Sequence, residues 1–105
     1  MEERRGTYRY KVNLAGSVAT ERSPPLPIRV VNISLSGLMA KIAEPIPSPR
    51  RVTLQVDLAG VPFEAEAVCV RTTYDGAPYE AAFLFTRTGG EALDRLYAYL
   101  ANTGE

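Results

Sequence analysis

From Arg51 to Leu58 the chain alternates strictly: Val52, Leu54, Val56 and Leu58 are apolar, and Thr53, Gln55 and Asp57 between them are polar. A period of two sends successive side chains to opposite faces, so this segment predicts a strand with one buried face. Tyr8 to Thr20 carries Tyr10, Val12, Leu14 and Val18 without proline and predicts a long first strand, in which Gly16 marks a bulge or a bend. Glu21-Arg22-Ser23-Pro24-Pro25 reads as a connection, because proline lacks a donor and biases the residue before it away from helix. Leu26 to Ile33 is then a second strand, returning antiparallel to the first. Leu38 to Ile42 is a third, and Pro45, Pro47 and Pro49 impose an irregular loop up to about Arg50.

After the short turn at Ala59-Gly60, Val61 to Thr73 begins with Phe63 and Ala65 alternating against Glu64 and Glu66. Ala67-Val68-Cys69-Val70 is apolar at both parities, so either a bulge shifts the register or the strand is covered on both faces. Asp75-Gly76 is a hairpin turn signal ahead of a sixth strand over about Pro78 to Thr86, which carries Phe83 and Phe85. The period then changes. Leu93, Leu96, Tyr97 and Leu100 fall at i, i+3, i+4 and i+7, which predicts an amphipathic helix over about Gly90 to Ala101, with Thr88 and Glu91 spaced as a capping box. Six strands in mostly hairpin order and one helix predict a mainly β fold, a six-stranded antiparallel β-barrel with a C-terminal α-helix against an opening or edge. At 105 residues the chain is expected to be a single domain, with a flexible arginine-rich arm over 1–9, the barrel over 10–86 and the helix over 89–101.

Charge adds an asymmetry that the total hides. The formal net charge is zero, yet residues 1–51 hold nine Lys/Arg against four acids and the remainder three against eight. A basic patch built by the first half suits an anionic partner, and the overall balance favours a small anion over long nucleic acid. Enzymatic chemistry finds little support, because the chain has no histidine to serve as the usual base or metal ligand. Glu64 and Glu66 read as a solvated strand face, and Cys69, the lone cysteine, reads as a packed thiol. A non-enzymatic protein without a cofactor or metal is the expectation. No run approaches the roughly 18 apolar residues of a membrane helix, and Met1 to Arg5 lead into no signal-like stretch, so a cytoplasmic location is expected. Asn32-Ile33-Ser34 matches a glycosylation acceptor that such a protein could not use.

Two stretches carry candidate chemistry. Asn32-Ile33-Ser34-Leu35-Ser36-Gly37 places three short polar side chains and a glycine between two apolar runs. In one reading they only hold a tight turn, with Gly37 permitting φ > 0; in the other, the turn presents an amide and hydroxyls to a small polar ligand. Arg4, Arg5 and Arg9 precede the first strand beside Tyr8 and Tyr10, and are either a solvated terminus or a set of planar forks for phosphate oxygens and guanine edges.

Arg5-Gly6-Thr7-Tyr8-Arg9, preceded by Arg4, followed after 22 residues by Asn32-Ile33-Ser34-Leu35-Ser36-Gly37, resembles the paired RxxxR and (D/N)xSxxG motifs of PilZ domains. The resemblance extends over residues 4 to 101, with Ala82 standing where the family commonly has glycine. It implies a receptor for bacterial cyclic di-GMP, with Arg5 and Arg9 on guanine edges and phosphates, Asn32 and Ser34 on guanine polar atoms or the ligand backbone, and Gly37 shaping the turn. Arg4 makes the arginines a doublet, which in the family accompanies a stacked pair of ligand molecules. Such a receptor would order its arm over the ligand and signal in trans to a protein partner. Two alternatives stay open: a ligand-free protein-interaction PilZ module, such as a motility or pilus-related scaffold, and a small barrel for single-stranded nucleic acid, which the acidic second half disfavours.

Overall fold

A computed structural model describes residues 9–21, 23–46, 49–73 and 78–103. Six strands, β1 (Tyr10–Thr20), β2 (Ser23–Ile33), β3 (Gly37–Ile42), β4 (Arg50–Leu58), β5 (Val61–Thr73) and β6 (Tyr79–Arg87), precede one helix, α1 (Gly90–Thr103). All neighbouring strands are antiparallel and the sheet closes in the order β1-β2-β3-β6-β5-β4. The chain is thus two three-stranded meanders, β1 to β3 and β4 to β6, joined along two seams. Asp75-Gly76 and Tyr8 lie outside the described residues.

The seams differ in extent. Between β3 and β6, Gly37–Ile42 pair with Leu84–Tyr79 along the whole of β3, whereas β1 meets β4 only where Gly16–Ala19 face Val56–Thr53. At that short seam the backbones are pressed together: a Cβ on Gly16 would stand 2.5 Å from the carbonyl oxygen of Gln55. Gly16 is therefore a site of close backbone approach, and the bulge of β1 lies elsewhere, between Lys11 and Leu14, where Val12 and Asn13 oppose one residue of β2.

The connection expected at Ser23-Pro24-Pro25 is instead the first part of β2. Thr20 faces Ser23 and Val18 faces Leu26, so Pro24 and Pro25 share a bulge opposite Ala19, and β3 pairs with β2 only from Ile28 onwards. Proline is tolerated there because one side of the strand has no neighbour waiting for an N–H. In β5 a bulge does occur, but at the end of the apolar run, where it follows Cys69, and Val68 and Val70 face outward. Phe63, Ala65, Ala67 and Cys69 point inward, Val70 is the extra residue in the ladder with β6, and the next inward residue is Thr72.

Both barrel ends are closed. Thr72 donates from Oγ1 to the Ile46 carbonyl at 2.9 Å, tying the β3–β4 connection over one end with Ile46 itself buried. At the other end α1 packs against β5, and Arg95 donates from Nη1 to the Pro62 carbonyl at 2.8 Å. Leu96 and Leu100 are buried, flanked by Ala92 and Tyr99. The apolar stripe is thus rotated from the expected one, since Leu93 is only half-buried and Tyr97 is 55% exposed. Leu93 N–H donates to the Gly89 carbonyl, which makes Gly89 the N-cap in place of Thr88, and Glu91 pairs with Arg95. Burying Leu96 and Leu100 contributes roughly 1.5–3 kcal/mol each. None of the described helices is long and apolar enough to cross a membrane.

Two substitutions test this account. Ala59 and Gly60 both have positive φ, 55° and 97°, the pattern of a two-residue hairpin turn that favours Asn-Gly. Ala59→Asn relieves left-handed strain and is expected to raise stability by about 1 kcal/mol in urea unfolding. Gly16→Ala forces β1 from β4 and should lower stability by about 1–3 kcal/mol by the same measurement.

Candidate ligand site

Val30-Val31-Asn32-Ile33 reaches the turn through a second irregularity. Val30 pairs with Ala40 and Asn32 with Met39, so Val31 has no partner on β3, and on the other side it alone faces Val12 and Asn13 of β1. This bulge shifts the inward phase from Val30 to Ile33, both fully buried, and leaves Asn32 on the outer surface. Without it, alternation from Val30 would drive the Asn32 amide into the core.

Arg9, exposed and one residue ahead of β1, donates from Nη1 to the Asn32 Oδ1 at 3.0 Å. The pairing of Tyr10 with Ile33 brings the two motifs side by side, although Arg9 and Asn32 are 23 positions apart in sequence. One acceptor engages one guanidinium N–H, and the planar fork has further donors to offer. Arg4 and Arg5 lie outside the described residues.

Ser34 faces the other way. It is fully buried, and its Oγ accepts from the N–H of Ser36 at 3.1 Å and of Gly37 at 3.2 Å, lies 3.1 Å from Ser36 Oγ and donates to the Gly37 carbonyl at 3.3 Å. Ser34 N–H donates to the same carbonyl at 2.8 Å. The hydroxyl thus builds the turn from within. Gly37 is not among the positive-φ glycines; it opens β3 with extended backbone, and a Cβ there would clash with the Phe83 carbonyl oxygen of β6. Its need is space, where the sequence suggested conformational freedom. Phe85 N–H donates to the Ser36 carbonyl at 2.9 Å, so the turn is fastened to β6 on two sides.

The outer face of β1 to β3 adds charge that motif reading passed over. Lys11 stands opposite Asn32, and exposed Arg29 stands opposite exposed Lys41. Like charges facing across a ladder repel. Glu80 of β6 faces Lys41 from the other side, and among the described residues none of the three cations lies in an ion pair. The half-chain charge imbalance signalled this patch, and the strand alternation around Arg29 and Lys41 could have located it.

Known proteins give the fold a lineage. The chain superposes on the Bacillus subtilis inhibitor of motility, MotI/DgrA, with a TM-score of 0.79 at 18% identity, covering 96% of this chain and about half (51%) of that one. It superposes on the PilZ domain of Escherichia coli YcgR, solved with c-di-GMP, with a TM-score of 0.73 at 16% identity, covering 97% of this chain and 92% of that one. For the PilZ domain of CeSA from a cellulose-synthesizing bacterium the score is 0.73 at 17% identity, covering 94% of this chain and 100% of that one. Curated proteins gave no match. The family model described as the PilZ domain matches residues 3–102, nearly the whole length, and the chain belongs to the PilZ domain family.

Proposed function

We propose that this chain is a non-enzymatic receptor for cyclic di-GMP, in which Arg4, Arg5 and Arg9 bind guanine edges and phosphates beside Asn32, and the ordered arm changes the surface met by a protein partner in trans. The observation that carries this reading is the Arg9–Asn32 bond of 3.0 Å, because the two motifs form a site only if they are neighbours in space. Lys11 stands opposite Asn32, and Arg29 and Lys41 lie further along the same face with Glu80 facing Lys41, an excess of positive charge that draws an anion and steers its approach. YcgR, of the same fold, has been solved with this ligand. The roles of the turn residues divide. Asn32 is the outward polar group that meets the ligand and orients Arg9, while Ser34 and Gly37 hold the turn against β6 and act through its shape. A cytoplasmic location accompanies this reading.

A ligand-free interaction module draws support from Ser34, whose hydroxyl has a structural task without any ligand. A partner that ignores the dinucleotide and still binds after Arg5→Ala and Arg9→Ala would favour that second reading.

Calorimetric titration of cyclic di-GMP into wild type, Arg9→Ala and Ser34→Ala separates the roles. Arg9→Ala should weaken binding by about 1–3 kcal/mol, roughly 5- to 150-fold, with thermal stability unchanged. Ser34→Ala should lower stability by about 1–3 kcal/mol through the stranded turn amides and weaken binding along with it. No heat from wild type at tens of micromolar would overturn the receptor reading.

A further inference from the structure

Two successive rows of outward residues cross the β3–β6 seam. One runs Lys11, Asn32, Met39, Ala82, Arg71 across β1, β2, β3, β6 and β5; the next runs Gly37, Leu84, Val68, Arg51 across β3, β6, β5 and β4. Between them stands Val70, outward next to inward Cys69, and the bulge at Val70 keeps Arg71 outward as well. Leu84 is 46% exposed and Val70 44%, unusual for large aliphatic side chains in the middle of a sheet, and Met39 and Val68 are half-buried beside them. The two rows contain no carboxylate. Their charges are Lys11 at one side and Arg51 and Arg71 at the other, and among the described residues both arginines are exposed and outside any ion pair. Acids begin only in the flanking rows, with Glu80 beyond Ala82 and Glu66 beyond Val68.

Past Val68 the strip opens into a groove of about 550 Å³ bordered by Arg51, Thr53, Glu66 and Arg87. Glu66 faces Arg87 in the ladder, and Glu21 lines the same groove, so the acids lie beyond Val68 and outside the two rows. From Met39 to Arg51 is three strand spacings, about 14 Å, the reach of roughly four extended residues. A closed barrel leaves no free edge along this face, so an occupant must be recognised by side chains.

We propose that this strip docks an acidic, apolar segment of another protein, with aliphatic side chains on Val68, Val70 and Leu84 and carboxylates on Arg51 and Arg71. Charge complementarity selects the occupant: a basic segment would meet three cations, and a neutral one would engage neither arginine. The surface borders the Arg9–Asn32 site through Met39, yet the proposal does not rest on nucleotide binding.

The test is fluorescence anisotropy on the full chain without nucleotide, using a short labelled peptide that alternates Leu and Glu, the same peptide with Lys for Glu, and one with Ser for Leu. The Leu/Glu peptide should bind, and each altered peptide should lose at least about tenfold. Arg51→Glu, Arg71→Glu and Leu84→Ser should each weaken the Leu/Glu peptide by about tenfold, with Glu64→Gln on the same strand as an unaffected control. Circular dichroism reports folding, and Val70→Ser replaces Leu84→Ser if the latter loses the barrel. The proposal is overturned if the Leu/Glu peptide does not bind, if the Lys peptide binds equally, if folded variants bind as wild type, or if wild type self-associates through this face and loses that association with Leu84→Ser.

Discussion

A barrel of six strands exists only if its first strand can pair on both sides, and β1 manages this over four residues. Gly16 through Ala19 meet Val56 through Thr53 with backbones so close that the first of these positions has no room for a Cβ. The rest of β1, from Tyr10 to Ala15, pairs with β2 without a described partner on β4. That unequal division puts the N-terminal part of the strand beside the end of β2, where Arg9 reaches Asn32. Closure of the sheet and assembly of the site therefore depend on the path of the same strand.

Bulges do the rest of the positioning. A sheet that kept perfect alternation would bury Asn32 and, beyond Cys69, Arg71; the extra residues at Val31 and Val70 turn both out. One puts a polar amide beside a guanidinium, and the other keeps the Arg71 guanidinium on the surface. In each case a local break in the ladder costs some pairing and redirects a side chain, which is how bulges are commonly used near functional surfaces.

Much of this was legible in the chain. The alternation from Arg51 to Leu58 specified β4 almost to the residue, and the apolar spacing of Leu96 and Leu100 identified the buried side of the helix. What the sequence left undecided were choices between equals. Val30 and Val31 are both apolar, so nothing in the pattern says which one bulges. On α1, Leu93 and Tyr97 flank the buried pair as plausibly as Ala92 and Tyr99, and the helix rotation is set by its packing, with Arg95 held to the Pro62 carbonyl. Pro24 and Pro25 signal a break, and only the absence of β3 alongside makes them acceptable in a strand. At the site, residue type announced polarity without direction: Asn32 faces out and Ser34 faces in, and the difference lies in the bulge and the turn's own hydrogen bonds.

The fastening of that turn has a mechanical consequence. Gly37 is wedged against the Phe83 carbonyl, and the Ser36 carbonyl holds the Phe85 amide. Close-packed contacts of this kind leave no slack in which a small displacement could dissipate. The turn and β6 are thereby held as one rigid unit, and Leu84, lying between those two anchor points with its side chain outward, sits on the outer face of that unit.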